Sequence, residues 1–272
     1  MSLLKRLSGW CRPTTFYVIS YPKSGRTWLR AMLAQYFSKR YGHDINTLLK
    51  GQKMYPAKHL PRFAFTHDGS AMVSRISFRD MDPDKSKYSK HKVLLIGREY
   101  KDTLVSAYFQ ATKRKGLFEG NINEFIRSPE FGIDKLLRFY QNWAKAKHIP
   151  NAFMMTSYEA LHRCPHDSLR QILEMSGETD VDPGLVAEAV EACRFERLRA
   201  MESKGEFNSH ILTAANVNDP ESFKVRKGKV GGFKEYLSAE DIRFIDEKIH
   251  RLGISSSPAY IPPANSTSFI AS

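Results

Sequence analysis

The chain has 272 residues, of which 42% are hydrophobic and 12% aromatic, so it has enough apolar side chains to bury a sizeable core without disulfides or metals. Its formal net charge of +13 suits a polyanionic ligand, a nucleic acid or an anionic membrane surface, and charge alone does not choose among them. The three cysteines form no CxxC pair, no apolar run approaches the ~20 residues that span a bilayer, and the N-terminus lacks a signal-peptide pattern, so we expect a cytoplasmic protein.

Short apolar runs that alternate with helical patterns predict a mainly parallel sheet covered on both faces. The strand-like runs are TFYVIS at 15–20, RFAFT at 62–66, KVLLIG at 92–97 and AFMMT at 152–156. The helical patterns lie at 27–40, from about 101 to 113, at 134–147, at 166–201 as two or three short helices, and at 239–251 after the capping pattern Ser238-x-x-Asp241. We therefore predict one α/β domain over residues 1–272, with its core at about 14–252.

A basic segment near the C-terminal end breaks this pattern. Residues 203–232 are rich in Gly, Asn, Ser and Lys or Arg, and they show no apolar periodicity. We predict a loop that is mobile without ligand, in which the cations of 226–229 repel one another until an anion binds. The polar, proline-bearing tail from Ser255 is predicted to be irregular.

The first chemical motif is YPKSGRTW at 21–28, between a predicted strand and a predicted helix. Backbone N–H groups and the helix dipole can hold an anion at such a turn, with Gly25 allowing close approach and Lys23 adding charge. The motif is not the triphosphate-binding pattern GxxxxGK[ST], because its first glycine is missing and the lysine precedes Ser-Gly. The alternative is a strand–helix turn with an exposed lysine.

This string closely resembles the 5′-phosphosulfate loop of the cytosolic-type sulfotransferases, usually written YPKSGTTW. The resemblance implies a P-loop-NTPase-like sulfotransferase fold and transfer of a sulfuryl group from 3′-phosphoadenosine-5′-phosphosulfate to a hydroxyl or amine. It implies that Lys23, Ser24, Gly25, Arg26 and Thr27 hold the 5′-phosphate, and that Lys23 also neutralises charge on the bridging oxygen as a catalytic residue. Arg26 replaces a threonine of the pattern, and we expect its backbone to matter more than its side chain.

Two further segments resemble the parts of the family that bind the 3′-phosphate. Arg98 and Ser106 of REYKDTLVS match the arginine and serine of the family's RNPKDVAVSYY stretch. Arg226, Lys227 and Gly228 of RKGKVGGFK match the family's RKGxxGDWK element, although Gly and Phe stand where the family has Asp and Trp. Taken alone, the first segment would indicate a surface ion pair and the second a solvated basic loop.

The catalytic candidate is His67, which follows the predicted strand RFAFT. A histidine at a strand end can accept a proton near neutral pH, and the string PRFAFTHD is similar to the family's PRxxKTHLP, whose histidine is the general base. Phe65 replaces the lysine of that pattern, which removes one cation near the sulfuryl group. Asp68 is also unusual there, and we expect it to orient His67 or raise its pKa.

Three aromatic residues resemble the adenine-binding residues of the family. These are Trp28, Tyr158 in TSYEAL and Phe195 in ACRFERL. The resemblance implies that Trp28 and Phe195 stack on the base and that Tyr158 lies at its edge. Each is equally consistent with a core aromatic.

The acceptor and the assembly stay open at the level of sequence. The candidate acceptor loops at 41–60, 68–90, 110–132 and 203–223 favour a small-molecule natural product, with a glycan or lipid headgroup as the alternative. Their aromatic residues are Tyr55, Phe78, Tyr88, Phe109, Phe118 and Phe207. The family's dimerisation pattern KxxxTVxxxE is degenerate here, since Arg243 stands at its glutamate, so the oligomeric state stays open.

Two other functions compete with sulfuryl transfer. A nucleotide-dependent phosphotransferase needs a metal-binding carboxylate after a strand, and none of the predicted strands ends in one. A nucleic-acid-binding module would use basic runs such as KSKYSKHK at 85–92, which carry no known recognition pattern, so we expect a solvated face and no nucleic-acid partner. No HExxH or Cys/His set indicates a metal site, and the family resemblance implies none.

Overall fold

Five strands form one sheet in a computed structural model that describes residues 14–50, 53–54, 61–205, 215–216 and 218–252. The strands are β1 (Thr15–Ser20), β2 (Lys53–Met54), β3 (Arg62–Thr66), β4 (Lys92–Gly97) and β5 (Ala152–Ser157). Their order is β2-β3-β1-β4-β5, and only β2 runs antiparallel to its neighbour. The predicted mainly parallel sheet is confirmed, with β5 one residue longer than expected. The two-residue β2 was not predicted, because so short a strand leaves no pattern.

Each central strand contributes side chains to a core on either face of the sheet. Val18 is in register with Phe65 on one side and with Leu94 on the other, and all three are buried in the same core. The next residues along β1 and β4, Ile19 and Leu95, belong to the core on the opposite face. This alternation explains why β1 and β4 read as continuous apolar runs.

Helices cover both faces. The helices are α1 (Arg26–Tyr41), α2 (Ile45–Leu49), α3 (Tyr100–Phe109), α4 (Ile122–Arg127), α5 (Ile133–Ala146), α6 (Tyr158–Arg163), α7 (Pro165–Ser176), α8 (Pro183–Ala192), α9 (Phe195–Lys204) and α10 (Ala239–Arg251). Buried residues of α1, α7 and α8 lie in the core that holds Val18, and those of α3, α5 and α10 lie in the other. The fold is α/β, as predicted.

Most helix boundaries agree with the predicted ones. The region 166–201 forms three helices: α7 ends before Gly177, which is in the left-handed region at φ 110°, α8 begins at Pro183, and Cys193 and Arg194 separate α8 from α9. Both capping bonds predicted before α10 are present, between Ser238 and Asp241. The helical pattern to residue 113 continues past α3 as a π turn over Gln110–Arg114. The short helices α2, α4 and α6 were not predicted.

The basic segment is held to the fold where it is described. Glu202, which is buried, accepts hydrogen bonds from the backbone N–H groups of Lys224 and Val225 at 2.5 and 2.8 Å. The carboxylate of Asp102 accepts from the N–H groups of Gly231 and Phe233 at 2.6 and 2.9 Å. Residues 206–214 and 217 of the predicted loop, and the tail from Ser255, lie outside the described residues. Mobility of the loop stays a prediction.

The topology brings three chemically important segments to one edge of the sheet. The turn at 21–25 follows β1, His67 follows β3, and Arg98 follows β4. Because β3, β1 and β4 are parallel neighbours, their carboxyl ends lie side by side. Within the described ranges, no helix combines the length and apolar character that a membrane span requires.

Candidate active site

The turn between β1 and α1 closes tightly on itself. Lys23 and Gly25 both adopt the left-handed conformation, at φ 72° and 91°. The carbonyl of Gly25 accepts from the N–H groups of Trp28 and Leu29, which starts α1. A Cβ on Gly25 would lie 2.7 Å from the ring of Tyr158, so only glycine fits without movement. The first N–H groups of α1 are therefore available to an anion that binds beside the turn.

The ammonium group of Lys23 is surrounded by other cations. Its Nζ donates to Gln110 Oε1 at 3.3 Å and to the carbonyl of Lys224 at 3.4 Å. Burial lowers the pKa of Lys23 well below its usual value, and the charges of Lys224, Arg114 and Arg98 lower it further. An anion bound here would restore the charged lysine.

His67 has a defined tautomer. Its Nδ1–H donates to the carbonyl of Ser20 at 2.8 Å, since a carbonyl can only accept. Its Nε2 must then accept from Arg26 Nη2 at 2.9 Å. Burial lowers the pKa of His67 well below its usual value, and the Arg26 charge adds to this effect. The imidazole is therefore neutral, and its basic nitrogen is Nε2, whose lone pair accepts from Arg26 in this structure.

Two expectations about the surroundings of His67 are wrong. Asp68 does not orient it, because the Asp68 carboxylate is buried and bonded to Tyr88 Oη at 2.7 Å and to Lys85 and Lys87. The carbonyl of Ser20 orients the ring instead, and the pKa of His67 is lowered, not raised. Arg26 was expected to act mainly through its backbone, but its side chain contacts His67 directly.

Arg98 and Ser106 both line a cavity beside the turn at 21–25. Arg98 Nη1 donates to the carbonyl of Lys23 at 3.0 Å, and its guanidinium lies over the Tyr158 ring at 4.4 Å. The buried Nε of Arg98 has no hydrogen-bond partner among the described residues. Ser106 lies on α3, which begins just after Arg98. A phosphate beside these groups would satisfy the unpaired donor.

The cations of the basic segment are paired with carboxylates. Arg226 Nη1 lies 2.7 Å from Glu221 Oε2, and Lys227 Nζ lies 2.6 Å from Glu235 Oε2. Lys229 shares Glu235 at 2.9 Å. The expected mutual repulsion of these cations is therefore wrong, since turns at 220–222 and 232–235 bring two carboxylates beside them. An anion that binds Arg226 or Lys227 must compete with these pairs.

The aromatic candidates line the same cavity. Trp28 is fixed by a bond from its Nε1 to the carbonyl of Cys193 at 2.9 Å, and its ring meets Tyr158 edge to face. Phe195 packs on Gly228, where a Cβ would lie 2.2 Å from the Phe195 ring. Gly228 is also in the left-handed region, at φ 61°. Glycine is therefore required at 228 to let the backbone approach the ring.

Almost every predicted site residue lines one cavity of about 410 Å³. Ser24 is the exception, being buried behind the turn. The predicted residues on its wall are Lys23, Gly25, Arg26, Thr27, Trp28, His67, Arg98, Ser106, Tyr158, Phe195, Arg226, Lys227 and Gly228. The described acceptor-loop aromatics, Phe78, Tyr88, Phe109 and Phe118, are not on it, and Tyr55 and Phe207 lie outside the described residues.

Sequence reasoning missed several residues of the cavity wall, among them the charged residues Lys224 and Asp102. Lys224 lines the cavity, and burial followed by the charges of Arg114 and Arg26 lowers its pKa to about 8. Its signal was available, since it lies two residues before Arg226 in the basic segment. Asp102 also lines the cavity and pins the backbone at Gly231, which no local pattern indicates.

Comparison with known proteins assigns this chain to a family. The family model described as "Sulfotransferase domain" matches residues 13–253. Cytosolic sulfotransferase 17 of Arabidopsis thaliana is 28% identical, over 90% of this chain and 77% of its own length. Flavonol 3-sulfotransferase of Flaveria bidentis is 23% identical, over 89% and 84%. The structure of mouse sulfotransferase SULT7A1 complexed with PAP has a TM-score of 0.62 and 21% identity, over 89% of this chain and 86% of that one.

Proposed function

This chain belongs to the sulfotransferase domain family and is a sulfotransferase, and from that premise we propose that it transfers a sulfuryl group from 3′-phosphoadenosine-5′-phosphosulfate to a hydroxyl or amine. The observation that carries the proposal is one cavity in which a neutral histidine, a buried lysine and two separate groups of phosphate-binding candidates meet. Unpaired buried donors on Arg26 and Arg98 fit a polyanionic ligand.

The residues of the first turn are assigned to the 5′ side of the donor. N–H groups of Ser24, Gly25, Arg26 and Thr27 hold the 5′-phosphate at the start of α1. Lys23 Nζ, whose pKa an anion would raise, neutralises the phosphate oxygen that leaves the sulfur. When bound, the donor supplies an activated sulfuryl group on that oxygen.

A second group is assigned to the 3′-phosphate. Arg98 and Ser106 are supported by their common place on the cavity wall and by the unpaired Arg98 Nε. Arg226 and Lys227 would exchange their carboxylate partners for the phosphate, and Gly228 would offer its N–H.

The adenine base is assigned to the aromatic wall. Trp28 and Phe195 offer ring faces to the base, and Tyr158 lies beside both Trp28 and the Gly25 turn. Each of the three rings is held by a specific contact, so the wall is preorganised.

His67 is assigned as the general base. Its Nε2 takes the proton of the acceptor group as that group attacks sulfur in line with the leaving phosphate oxygen. The Ser20 carbonyl holds the Nδ1–H and then stabilises the imidazolium that forms. No step of this chemistry needs a metal ion.

The acceptor is proposed to be a small molecule, as for the flavonol sulfotransferase relative, with the described cavity as its entrance. We further propose that residues 1–272 form one domain that works in the cytoplasm, as relatives named cytosolic sulfotransferases do. The dimerisation pattern leaves the oligomeric state to measurement.

The test is direct transfer from the labelled donor. Purified protein is incubated with donor carrying labelled sulfur and a panel of phenols, flavonols, alcohols and amines, and products are read by mass spectrometry. A product heavier than its acceptor by the labelled sulfuryl group supports the proposal. Transfer of a phosphoryl group from ATP, or no transfer to any class of acceptor, would contradict it.

A further inference from the structure

Two departures of this chain from the family pattern change the cations expected near the candidate base. Position 65 carries phenylalanine where the pattern has lysine, and the Phe65 ring is buried with the guanidinium of Arg30 over it at 4.7 Å. Arg30 is held there by the carbonyls of Leu48 and Lys50, at 3.1 and 2.8 Å. Position 65 therefore brings no cation to the site.

The second departure brings a cation to the same place. Position 26 carries arginine where the pattern has threonine, and Arg26 Nη2 lies 2.9 Å from His67 Nε2. The other terminal nitrogen, Nη1, is buried and has no hydrogen-bond partner among the described residues. One end of the guanidinium thus contacts the base, and the other is a buried donor without a partner on a residue that lines the cavity. A buried N–H group of this kind is stabilised by an anionic acceptor.

The bond between Arg26 and His67 cannot persist through the reaction. Because Nδ1–H is committed to the Ser20 carbonyl, Nε2 is the nitrogen that must receive the proton. A guanidinium has no acceptor atom, so a protonated Nε2 and Arg26 Nη2 would repel each other. Arg26 must therefore move to a new acceptor when an attacking hydroxyl or amine reaches Nε2.

The geometry of transfer places such acceptors nearby. The attacking atom lies about 3 Å from Nε2 and about 3 Å from sulfur in a reactive complex. A guanidinium that already touches Nε2 is then within reach of the oxygens bound to that sulfur. Charge spreads over those oxygens in the transition state, where a preorganised cation is most effective.

We propose that the side chain of Arg26 is a catalytic residue that binds the sulfuryl oxygens, in place of the cation that the family pattern has at position 65. The inference rests on the proposed function. The acceptor forms its bond to sulfur and gives its proton to His67 Nε2, while the bond from sulfur to the 5′-phosphate oxygen breaks and its electron pair stays on that oxygen beside Lys23. Arg26 transfers no atom or electron; it stabilises the charge on sulfur's other oxygens.

Donor binding provides a test that needs no acceptor. The affinities of 3′-phosphoadenosine-5′-phosphosulfate and of adenosine 3′,5′-bisphosphate, which lacks the sulfuryl group, are measured by calorimetry for wild type, Arg26→Thr, Arg26→Lys and Arg26→Thr/Phe65→Lys. We expect Arg26→Thr to weaken the donor about tenfold or more relative to the bisphosphate. Arg26→Lys should lie in between, and the double variant should recover most of the donor affinity.

The control is Lys39→Thr, which places the same residue at an exposed position of the same helix. It should change neither affinity. Circular dichroism and bisphosphate binding establish folding for each variant, the double variant above all, because Phe65 is a core residue. Turnover of Arg26→Thr with any acceptor found in the transfer screen should fall about 100-fold.

Other outcomes overturn the inference. Equal loss of affinity for both nucleotides would make Arg26 a residue of the 5′-phosphate turn. Unchanged affinity for both, with unchanged turnover, would make its side chain irrelevant to the sulfuryl group. If wild type bound neither nucleotide, the proposed function would fail instead, before the role of Arg26 was tested.

Discussion

At the scale of single residues, the surroundings of His67 determine which chemistry it can do. The Ser20 carbonyl holds Nδ1–H, and burial keeps the ring neutral by lowering its pKa. In the proposed mechanism these constraints act on proton transfer from the acceptor, whereas the phosphate-binding candidates come from the turn after β1 and from Arg98. Proton transfer and donor binding should therefore be separable by mutation.

His67→Ala should lower turnover by about 10²–10⁴, the usual contribution of a positioned general base. Binding of adenosine 3′,5′-bisphosphate should stay within about twofold of wild type, because His67 is not assigned to a phosphate. Steady-state kinetics and calorimetry measure the two quantities. His148→Ala, at an exposed position, is the control. Loss of nucleotide binding together with turnover would identify a structural histidine.

The pH dependence of turnover follows from the lowered pKa of His67. The group is active as a base when neutral, so lowering its pKa extends activity toward acid. Turnover at saturating substrates should stay constant as pH falls through 6.5, the ordinary histidine value. Protonation of His67 lowers turnover on the acid side of the pH profile, and we call this fall the acid limb. In Arg26→Thr the acid limb should move to higher pH, because a positive charge that lowers the pKa of His67 is gone. A wild-type limb centred at or above pH 6.5 would contradict the described environment.

Two of the three cations proposed to bind the 3′-phosphate, Arg98 and Lys227, should contribute unequally to donor binding. Arg98 has an unpaired buried nitrogen, so Arg98→Ala should cost about 1.5–3 kcal/mol in bisphosphate affinity. Lys227 is partly exposed and already paired with Glu235, so Lys227→Ala should cost less than about 1 kcal/mol. Calorimetry with Lys39→Ala as control measures both. If Arg98→Ala kept wild-type affinity, the assignment of the 3′-phosphate to Arg98 would be wrong.

At the scale of elements, the basic segment is anchored by two carboxylates from helices. Glu202 lies in α9 and Asp102 in α3, and each accepts two backbone N–H groups of the segment. The mobile loop predicted from sequence would act as a lid if it closes over the donor, and it would then have fixed points at both ends of 224–233. Donor binding would add contacts between them.

Limited proteolysis tests this arrangement. Trypsin should cleave first between Lys204 and Lys229, and adenosine 3′,5′-bisphosphate should slow that cleavage strongly while leaving cuts at 85–92 little changed. Asp102→Asn should speed cleavage without ligand, because an amide nitrogen cannot accept a backbone N–H. Asp180→Asn, at an exposed carboxylate, is the control. Equal protection of both regions would indicate general stabilisation and no lid.

At the scale of the whole molecule, the net charge of +13 is consistent with a polyanionic donor but also with nucleic acid. The cavity favours the first alternative, since Lys23, Arg26, Lys224 and Arg98 line it. Binding in such a site should depend less on salt than binding to a phosphate backbone does.

Thermal unfolding gives the corresponding whole-molecule prediction. Adenosine 3′,5′-bisphosphate at 100 times its Kd should stabilise the protein by about 2.7 kcal/mol and raise Tm by roughly 5 °C. ATP with magnesium at the same concentration should raise Tm much less, because the Asp102 carboxylate on the cavity wall already accepts the N–H groups of Gly231 and Phe233. Differential scanning fluorimetry measures both shifts. A larger shift with ATP and magnesium would favour a phosphotransferase.

Local patterns in the sequence were sufficient for the four longer strands and the longer helices, whereas the family resemblance selected the cavity residues from Lys23 to Gly228. Apolar runs specify buried strands, and glycine positions such as Gly25 and Gly228 reflect backbone geometry that few other residues adopt. The resemblance to the sulfotransferase family in four ordered motifs supplied the predicted reaction and the predicted roles of the site residues. Short elements such as β2 and α6 left too little pattern to predict.

Tertiary structure alone decided how the side chains pair. Arg26 and His67 are 41 positions apart, and Asp102 is 129 from Gly231, so no local pattern joins them. Asp68 follows His67 directly, yet its carboxylate bonds to Tyr88. Adjacency along the chain does not set where a side chain points; strand order and backbone conformation do. The pKa values of His67 and Lys23 are lowered for the same reason, because burial and neighbouring charges arise only when distant segments pack together.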